Sequence, residues 1–215
     1  KEWAHEQHSR FSAFIDALKG AGVTFNIHHC CNSAGTLELP DFHRDMIRPG
    51  IIQYGYDASK EVLVTGTKIK PVMSLRCCIT HLKTIYEGDC VGYGRHFTAK
   101  GPTKIATLPI GYADGYNRAL SSKIDVIVHG VRAHQVGNIC MDQCMIDVSH
   151  IPNVKVGDEV VLFGEQGSEC VSADEIADTC HTIIHEITCN INRRVPRVYV
   201  QNGKIVQRLE YLTQS

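Results

Sequence analysis

The apolar periodicity of this chain changes partway along its length, and that change limits the possible folds more than any single motif does. From Glu6 to Leu18, the residues Phe11, Phe14, Ile15 and Leu18 recur at helical spacing, and Gly20 with Gly22 supplies a stop signal. Val23 to His29 is short and β-rich, Leu37 to Arg44 suits a short helix, and a second strand is expected around Ile51 to Tyr54. Helix, strand, helix, strand is the grammar of an α/β unit with parallel strands. After Tyr56 the pattern differs. From Lys68 onward, strand-length apolar runs alternate with turns at Val72 to Leu82, Lys104 to Ile110, Ile124 to Val128, Arg132 to Val136, Met145 to Val148 and Glu159 to Phe163.

The expected fold class is therefore α/β + β, an α/β segment over residues 1–58 followed by a mainly β domain over residues 59–215. Asn202 with Gly203 has the turn chemistry of a hairpin, and His129 with Gly130 repeats it earlier. One helix interrupts the β domain, with Ser172 as N-cap, Asp174 and Glu175 in the first turn and Ile176 to Cys180 continuing it. About 55 residues cannot close an eight-stranded barrel, which typically needs ~250. Any barrel here is represented by its last portion, and a chain that opens on Lys1 and enters a helix at once is expected to be a fragment.

At 215 residues, with 43% hydrophobic and 21% charged residues, the chain can bury a real core. A formal net charge of -1 and no basic stripe give no footprint for nucleic acid. The ten cysteines are expected to be reduced: Cys30 with Cys31 and Cys77 with Cys78 are adjacent, an unfavourable disulfide geometry, and no CxxC occurs. No apolar run reaches the ~20 residues of a membrane span and no signal-peptide pattern opens the chain, so a cytoplasmic location is expected.

Chemistry concentrates in a few places. Asn32, Ser33, Ala34 and Gly35 follow the first strand, at the carboxyl end where α/β units gather ligands, and Arg48, Pro49 and Gly50 form a second turn. Serine supplies a hydroxyl donor and glycine lets backbone amides approach an anion, so the two turns suit a phosphorylated ligand. Taken singly, Ser33 is an ordinary turn residue and Arg48 an ordinary ion-pair partner. In the β domain, Gly92-Tyr93-Gly94 presents a tyrosine between flexible residues. Gly111 to Arg118 packs Tyr112, Asp114, Tyr116 and Arg118 into one loop, and Gly137 to Gln143 sets Cys140, Met141 and Asp142 side by side. Tyrosines at turns and buried Cys or Met are most often plain packing.

These residues in this order resemble the alanine racemases, pyridoxal phosphate enzymes of fold type III. The resemblance spans essentially the whole chain through six ordered motifs: the Asn32 loop, Asp45 to Gly50, the Tyr93 turn, Gly111 to Gly115, Cys140 to Gln143, and Arg194-Val195-Pro196-Arg197. It implies the last segment of a (β/α)8 barrel followed by the family's C-terminal β domain. It also implies pyridoxal 5'-phosphate as cofactor, an amino-acid substrate such as alanine, a role in D-alanine supply for peptidoglycan, and a head-to-tail homodimer. By the same resemblance Asn32, Ser33, Gly50 and Ile51 lie at the cofactor phosphate. Arg48 faces the pyridine nitrogen with His29 supporting it, and Tyr93 is a catalytic base. Tyr112, Arg118, Cys140, Met141 and Asp142 line the substrate side. Arg193 stands where the family commonly has a tyrosine near the phosphate, which keeps serine open beside alanine as substrate.

Racemisation takes the α-proton from one face and returns one to the other, so it needs two acid/base groups. The resemblance places the second, a lysine joined covalently to the cofactor, before the first residue here. Lys68 and Lys70 lie past the barrel segment and do not inherit that role. The chain alone is expected to be inactive, and two other classes compete. A catalytically silent dimerisation or binding module fits the missing lysine. A metal hydrolase would draw on His28 with His29 and on His181 with His185, but it has no evident third ligand.

Overall fold

The computed structural model describes residues 1–58 and 69–212 and divides into two compact units, Lys1–Val72 and Met73–Ser215. Residues 59–68, which follow the expected boundary after residue 58, lie outside the described residues.

In the first unit, helix α1 (Glu2–Gly20) packs through His8 onto Phe42, the rings stacked nearly parallel with centroids 4.1 Å apart, and Arg44 reaches back to Ser12 Oγ at 2.5 Å. The expected strand at Val23 to His29 shortens to β1 (His29–Cys30). Helix α2 (Ser33–Glu38) begins earlier than the Leu37 to Arg44 reading placed it, because Asn32 Oδ1 accepts Gly35 N at 3.0 Å and caps it there. It stops before Pro40, which disfavours helical backbone at Leu39 and starts a separate 3-10 turn, Pro40–Phe42. Strand β2 (Met46–Ile47) pairs in parallel with β1, with His29 opposite Met46 and Cys30 opposite Ile47. Ile51–Tyr54 is not a strand but a 3-10 turn, because Pro49 cannot donate to a ladder and Gly50 bends the chain at φ -112, ψ -101.

The second unit opens with β3 (Leu75–Cys78) and β4 (His81–Ile85), two strands where one run was expected. The short pair β5 (Cys90–Val91) and β6 (Phe97–Thr98) flanks the Tyr93 turn. There follow β7 (Thr103–Leu108), β8 (Asp125–Val128), β9 (Val131–Val136), β10 (Cys144–Asp147), β11 (Glu159–Gln166) and β12 (Glu169–Val171). The main sheet runs β12-β11-β8-β9-β10-β7-β4, with β3 also on β11. Its central strands are nearly continuous apolar runs, and Val126, Ile127, Val128, Ile146, Val160, Val161 and Leu162 are fully buried.

The β8–β9 hairpin turns at His129 and Gly130 with φ 52 and 74. The final hairpin, β13 (Arg197–Gln201) and β14 (Lys204–Leu209), turns at Asn202 and Gly203 with φ 51 and 73, both as expected from turn chemistry. Ser172 caps helix α3 (Ala173–Thr179) through a 3.1 Å bond from Glu175 N. A second helix, α4 (Ile184–Asn190), was not anticipated, although Ile184, Ile187 and Ile191 repeat at helical spacing.

Asp158 ties the start of β11 to the β8–β9 turn. Its Oδ2 accepts Lys155 N at 2.9 Å and meets His129 Nε2 at 2.8 Å. The Lys155 amide, and then the His129 ring, hold its carboxyl below the usual carboxylate range. A depressed folded pKa stabilises above the unfolded value of about 3.9, and that stability is lost as pH falls through the folded value. Asp158→Asn should therefore lower urea-unfolding stability by about 1 kcal/mol at pH 6, and the gap should shrink as pH falls through the folded value.

Candidate functional site

Candidate residues gather in two places, one in each unit. In the first, Cys31 takes a left-handed φ of 57 at the end of β1 and swings the chain into the Asn32 loop, while its carbonyl accepts Arg48 N at 2.9 Å. That bond sets the two turns side by side. Ser33 is 5% exposed, and its Oγ accepts Gly50 N at 2.8 Å. With one lone pair of the hydroxyl engaged, its hydrogen remains to donate to an acceptor. Gly50 N is thus committed to Ser33. Ile51 and Ile52 open the 3-10 turn, where the first amides have no acceptor within the turn. A Cβ at Gly50 would stand 3.5 Å from Ser33 Oγ, in ordinary van der Waals contact with it.

Arg48 Nη1 lies 2.9 Å from His29 Nδ1. A guanidinium only donates, so His29 accepts through Nδ1 and carries its proton on Nε2. Asn32 contributes as the cap of α2. The donor set of a serine hydroxyl, two turn amides and a guanidinium fork suits an anionic phosphate together with a neutral ring nitrogen that accepts a hydrogen bond. The residues present therefore fit pyridoxal phosphate. The Cys31 thiol beside them is not activated: burial, and then the neighbouring Cys30, pushes it up.

In the second unit, the Gly137–Gln143 loop joins the other candidates. The carbonyls of Cys140 and Met141 each accept an amide at 3.0 Å, from Tyr112 and Ala113. Asn138 Nδ2 donates to Tyr93 O at 2.8 Å across 45 residues of sequence. Gly137 N and Ile139 N each donate at 3.0 Å, to Ser122 Oγ and Ser121 Oγ, just after the 3-10 turn Arg118–Leu120. Gln135, fully buried, donates to the carbonyls of Val136 and Gly137 and accepts Ser122 N. Tyr93 sits on a turn between Gly92 and Gly94, φ 75 and 76, and is 75% exposed. Tyr112 and Met141 are also exposed, whereas the Cys140 side chain is buried and offers the loop its carbonyl.

Arg194 closes the cluster. Its Nε is 2.9 Å from Asp114 Oδ1 and its Nη2 2.5 Å from Asp142 Oδ1. Asp114 Oδ2 also accepts Gly111 N at 2.8 Å. Arg193 is apart from this group, its guanidinium 5.8 Å from the Tyr211 ring centroid. Asn138 and Arg194 are the residues that sequence reasoning quoted within motifs without giving either a role.

The metal reading finds no support in the helices. α3 ends at Thr179 and α4 begins at Ile184, so His181, with φ 55, and His185 do not share a helix face. No group of three or more potential ligands occurs among the described residues. No helix of the described residues is long and apolar enough to cross a membrane.

Residues 1–58 match the alanine racemase N-terminal domain and residues 72–199 the alanine racemase C-terminal domain. The chain is 45% identical over 212 residues to alanine racemase 1 of Clostridium acetobutylicum, covering 99% of this chain and 55% of that protein. An alanine racemase of Clostridium difficile in complex with cycloserine superposes with a TM-score of 0.92 at 41% identity, covering 99% of this chain and 56% of that one. The Bacillus anthracis alanine racemase with bound L-Ala-P gives 0.93 at 37%, covering 98% and 54%. The chain belongs to the alanine racemase family of pyridoxal phosphate-dependent isomerases. Its first unit is the tail of the family's N-terminal barrel domain and its second is the mainly β C-terminal domain. It spans about half the length of the curated relatives it matches.

The tightest approach in the second cluster is at Gly111, where a Cβ would lie 2.1 Å from Cys140 O and 2.4 Å from Met141 O. Gly111→Ala should cost about 1–3 kcal/mol in denaturant unfolding. Gly101→Ala, with nothing within 4 Å, should stay within about 0.5 kcal/mol of the parent.

Proposed function

We propose that this chain supplies the phosphate and ring-nitrogen contacts and one acid/base face of an enzyme that interconverts L- and D-alanine. The observation that carries this reading is the Ser33–Gly50 bond beside the Arg48–His29 pair, a grip made of donors. The working division is a barrel portion over residues 1–58 and a β portion over 59–215, in a cytoplasmic enzyme that provides D-alanine for peptidoglycan.

Pyridoxal phosphate, when bound, supplies the electron sink that makes an amino acid's α-proton removable. Ser33 donates its hydroxyl hydrogen to a phosphate oxygen, and the Ile51 amide donates beside it. Arg48, held by His29, would donate to the ring nitrogen of a bound cofactor and keep it unprotonated, which would limit electron withdrawal and with it side reactions such as transamination. Tyr93, exposed on its glycine-flanked turn, exchanges the α-proton on one face of the substrate. Met141 stands at the substrate carboxylate, and Tyr112 and Arg118 line the entryway. The second acid/base group is a lysine with no counterpart among residues 1–215, so this chain alone is expected not to racemise alanine. A head-to-tail homodimer of the full-length protein brings Tyr93 to the partner's grip.

The test is racemisation by the full-length protein, followed by circular dichroism in both directions, with serine assayed beside alanine because of Arg193. Tyr93→Phe should lower kcat by about 10²–10⁴-fold in at least one direction. Ser33→Ala should weaken cofactor binding about tenfold in an absorbance titration, the worth of one charge-assisted hydrogen bond. Arg48→Glu should raise pyruvate formation by transamination. Full activity in Tyr93→Phe would remove the proposed role of that residue, and a full-length protein that binds no cofactor would favour the silent-module reading.

A further inference from the structure

We propose that Arg194 is a positioning residue for the substrate carboxylate side of this site, setting the spacing of Tyr112 and Met141; the inference rests on the racemase reading above. The two residues sit on separate loops, Gly111–Gly115 and Gly137–Gln143, and both loops end on the same guanidinium. Nε pairs with Asp114 at 2.9 Å and Nη2 with Asp142 at 2.5 Å. The Asp114 side chain is 10% exposed and would be left buried without its cation if Arg194 were removed. The Asp142 side chain is 57% exposed, so the outer arm is the weaker one.

The clamp is braced from behind. Asn192 Oδ1 accepts Arg194 N at 3.0 Å, and Asn192 N donates to Asp114 O at 2.9 Å. The guanidinium thus approaches from a fixed direction. Between the loops run the amides of Tyr112 and Ala113, bonded to the carbonyls of Cys140 and Met141. The Arg194 guanidinium bonds the carboxylates of the two loops. It holds the backbone that carries Tyr112 and Met141, and its planar fork reaches two carboxylates at once, which a lysine ammonium on a flexible stem does not reproduce.

The other tether of the same loop serves a different residue, since Asn138 Nδ2 bonds Tyr93 O. Loss of Arg194 should therefore fall on substrate binding and leave the Tyr93 proton exchange in place. In the full-length enzyme with cofactor bound, Arg194→Met is expected to raise KM for both alanine enantiomers about tenfold, with kcat within about threefold and the tyrosine limb of the pH–rate profile unmoved. Arg194→Lys should recover part of the KM, and Asp142→Asn, which breaks the exposed arm alone, should raise KM in the same direction by about threefold. Hydrogen exchange supplies a readout independent of turnover: the Tyr112 and Ala113 amides should exchange about tenfold faster in Arg194→Met. Asp142→Asn keeps the inference testable if Arg194→Met fails to fold. Unchanged KM in Asp142→Asn with unchanged exchange at Tyr112 and Ala113, or an equal loss in kcat and kcat/KM, would overturn the assignment. Absence of racemisation in the parent enzyme would sink the functional reading instead, and the exchange experiment would then decide the clamp alone.

Discussion

Two backbone hydrogen bonds, from the amides of Tyr112 and Ala113 to the carbonyls of Cys140 and Met141, organise the second unit's candidate site. They carry the β7–β10 pairing past the end of the sheet, since β7 enters one loop and the other leads into β10. The strands pair antiparallel with Cys144 opposite Leu108, so both loops leave the same end of the sheet. A main-chain crossing of this kind requires close approach, and Gly111 provides it by lacking a Cβ. Once the two backbones are locked, exposed Tyr112 and Met141 are fixed in relation to each other although neither is buried. The site gains order from the carbonyl partners behind it and not from packing around its side chains, which keeps those side chains accessible.

The first unit solves a related problem with a side chain. Its parallel ladder is only two residues long on each strand, so the ladder alone gives little to hold two turns together. The bond from Gly50 N to Ser33 Oγ, with that from Arg48 N to Cys31 O, makes up for this shortness. Accepting through its oxygen leaves the serine hydroxyl hydrogen available to donate. The same bond therefore closes the loop pair without using up the side chain's donor. His29 plays an equivalent part for Arg48: by accepting one guanidinium N–H it narrows the directions in which the rest of the fork can point.

Much of this was legible in sequence where local chemistry decides. The Asn202-Gly203 and His129-Gly130 turns, the Ser172 cap and most strands of the sheet follow from turn residues, capping and apolar runs. The same reading failed where a neighbour in sequence overrode propensity. Ile51, Ile52 and Tyr54 have strand character, but Pro49 and Gly50 immediately before them start a 3-10 turn. Leu37 looked like a helix start, but Asn32 had already capped the helix. In the site, the motif order led to the family, whereas the work of Asn138 and Arg194 depends on partners 45 and 52 residues away, a separation that no local pattern encodes.

The β unit contains a second arginine centre that separates ion pairing from function. Arg132 on β9 bonds Glu175 at 2.8 and 3.0 Å, Glu169 at 3.2 Å and the Cys170 carbonyl at 2.5 Å, and these carboxylates, Glu175 foremost, push its guanidinium further up. It is as well paired as Arg194, yet its partners lie on β12 and α3, with Asp125 of β8 at 3.8 Å, and these elements carry none of the candidate residues. Its effect is to fasten the sheet's outer strand and helix to β9. Arg194 has fewer partners, but both belong to loops that display residues of the site. What separates the two centres is the backbone their partners belong to, and not the number of hydrogen bonds or the strength of the ion pairs.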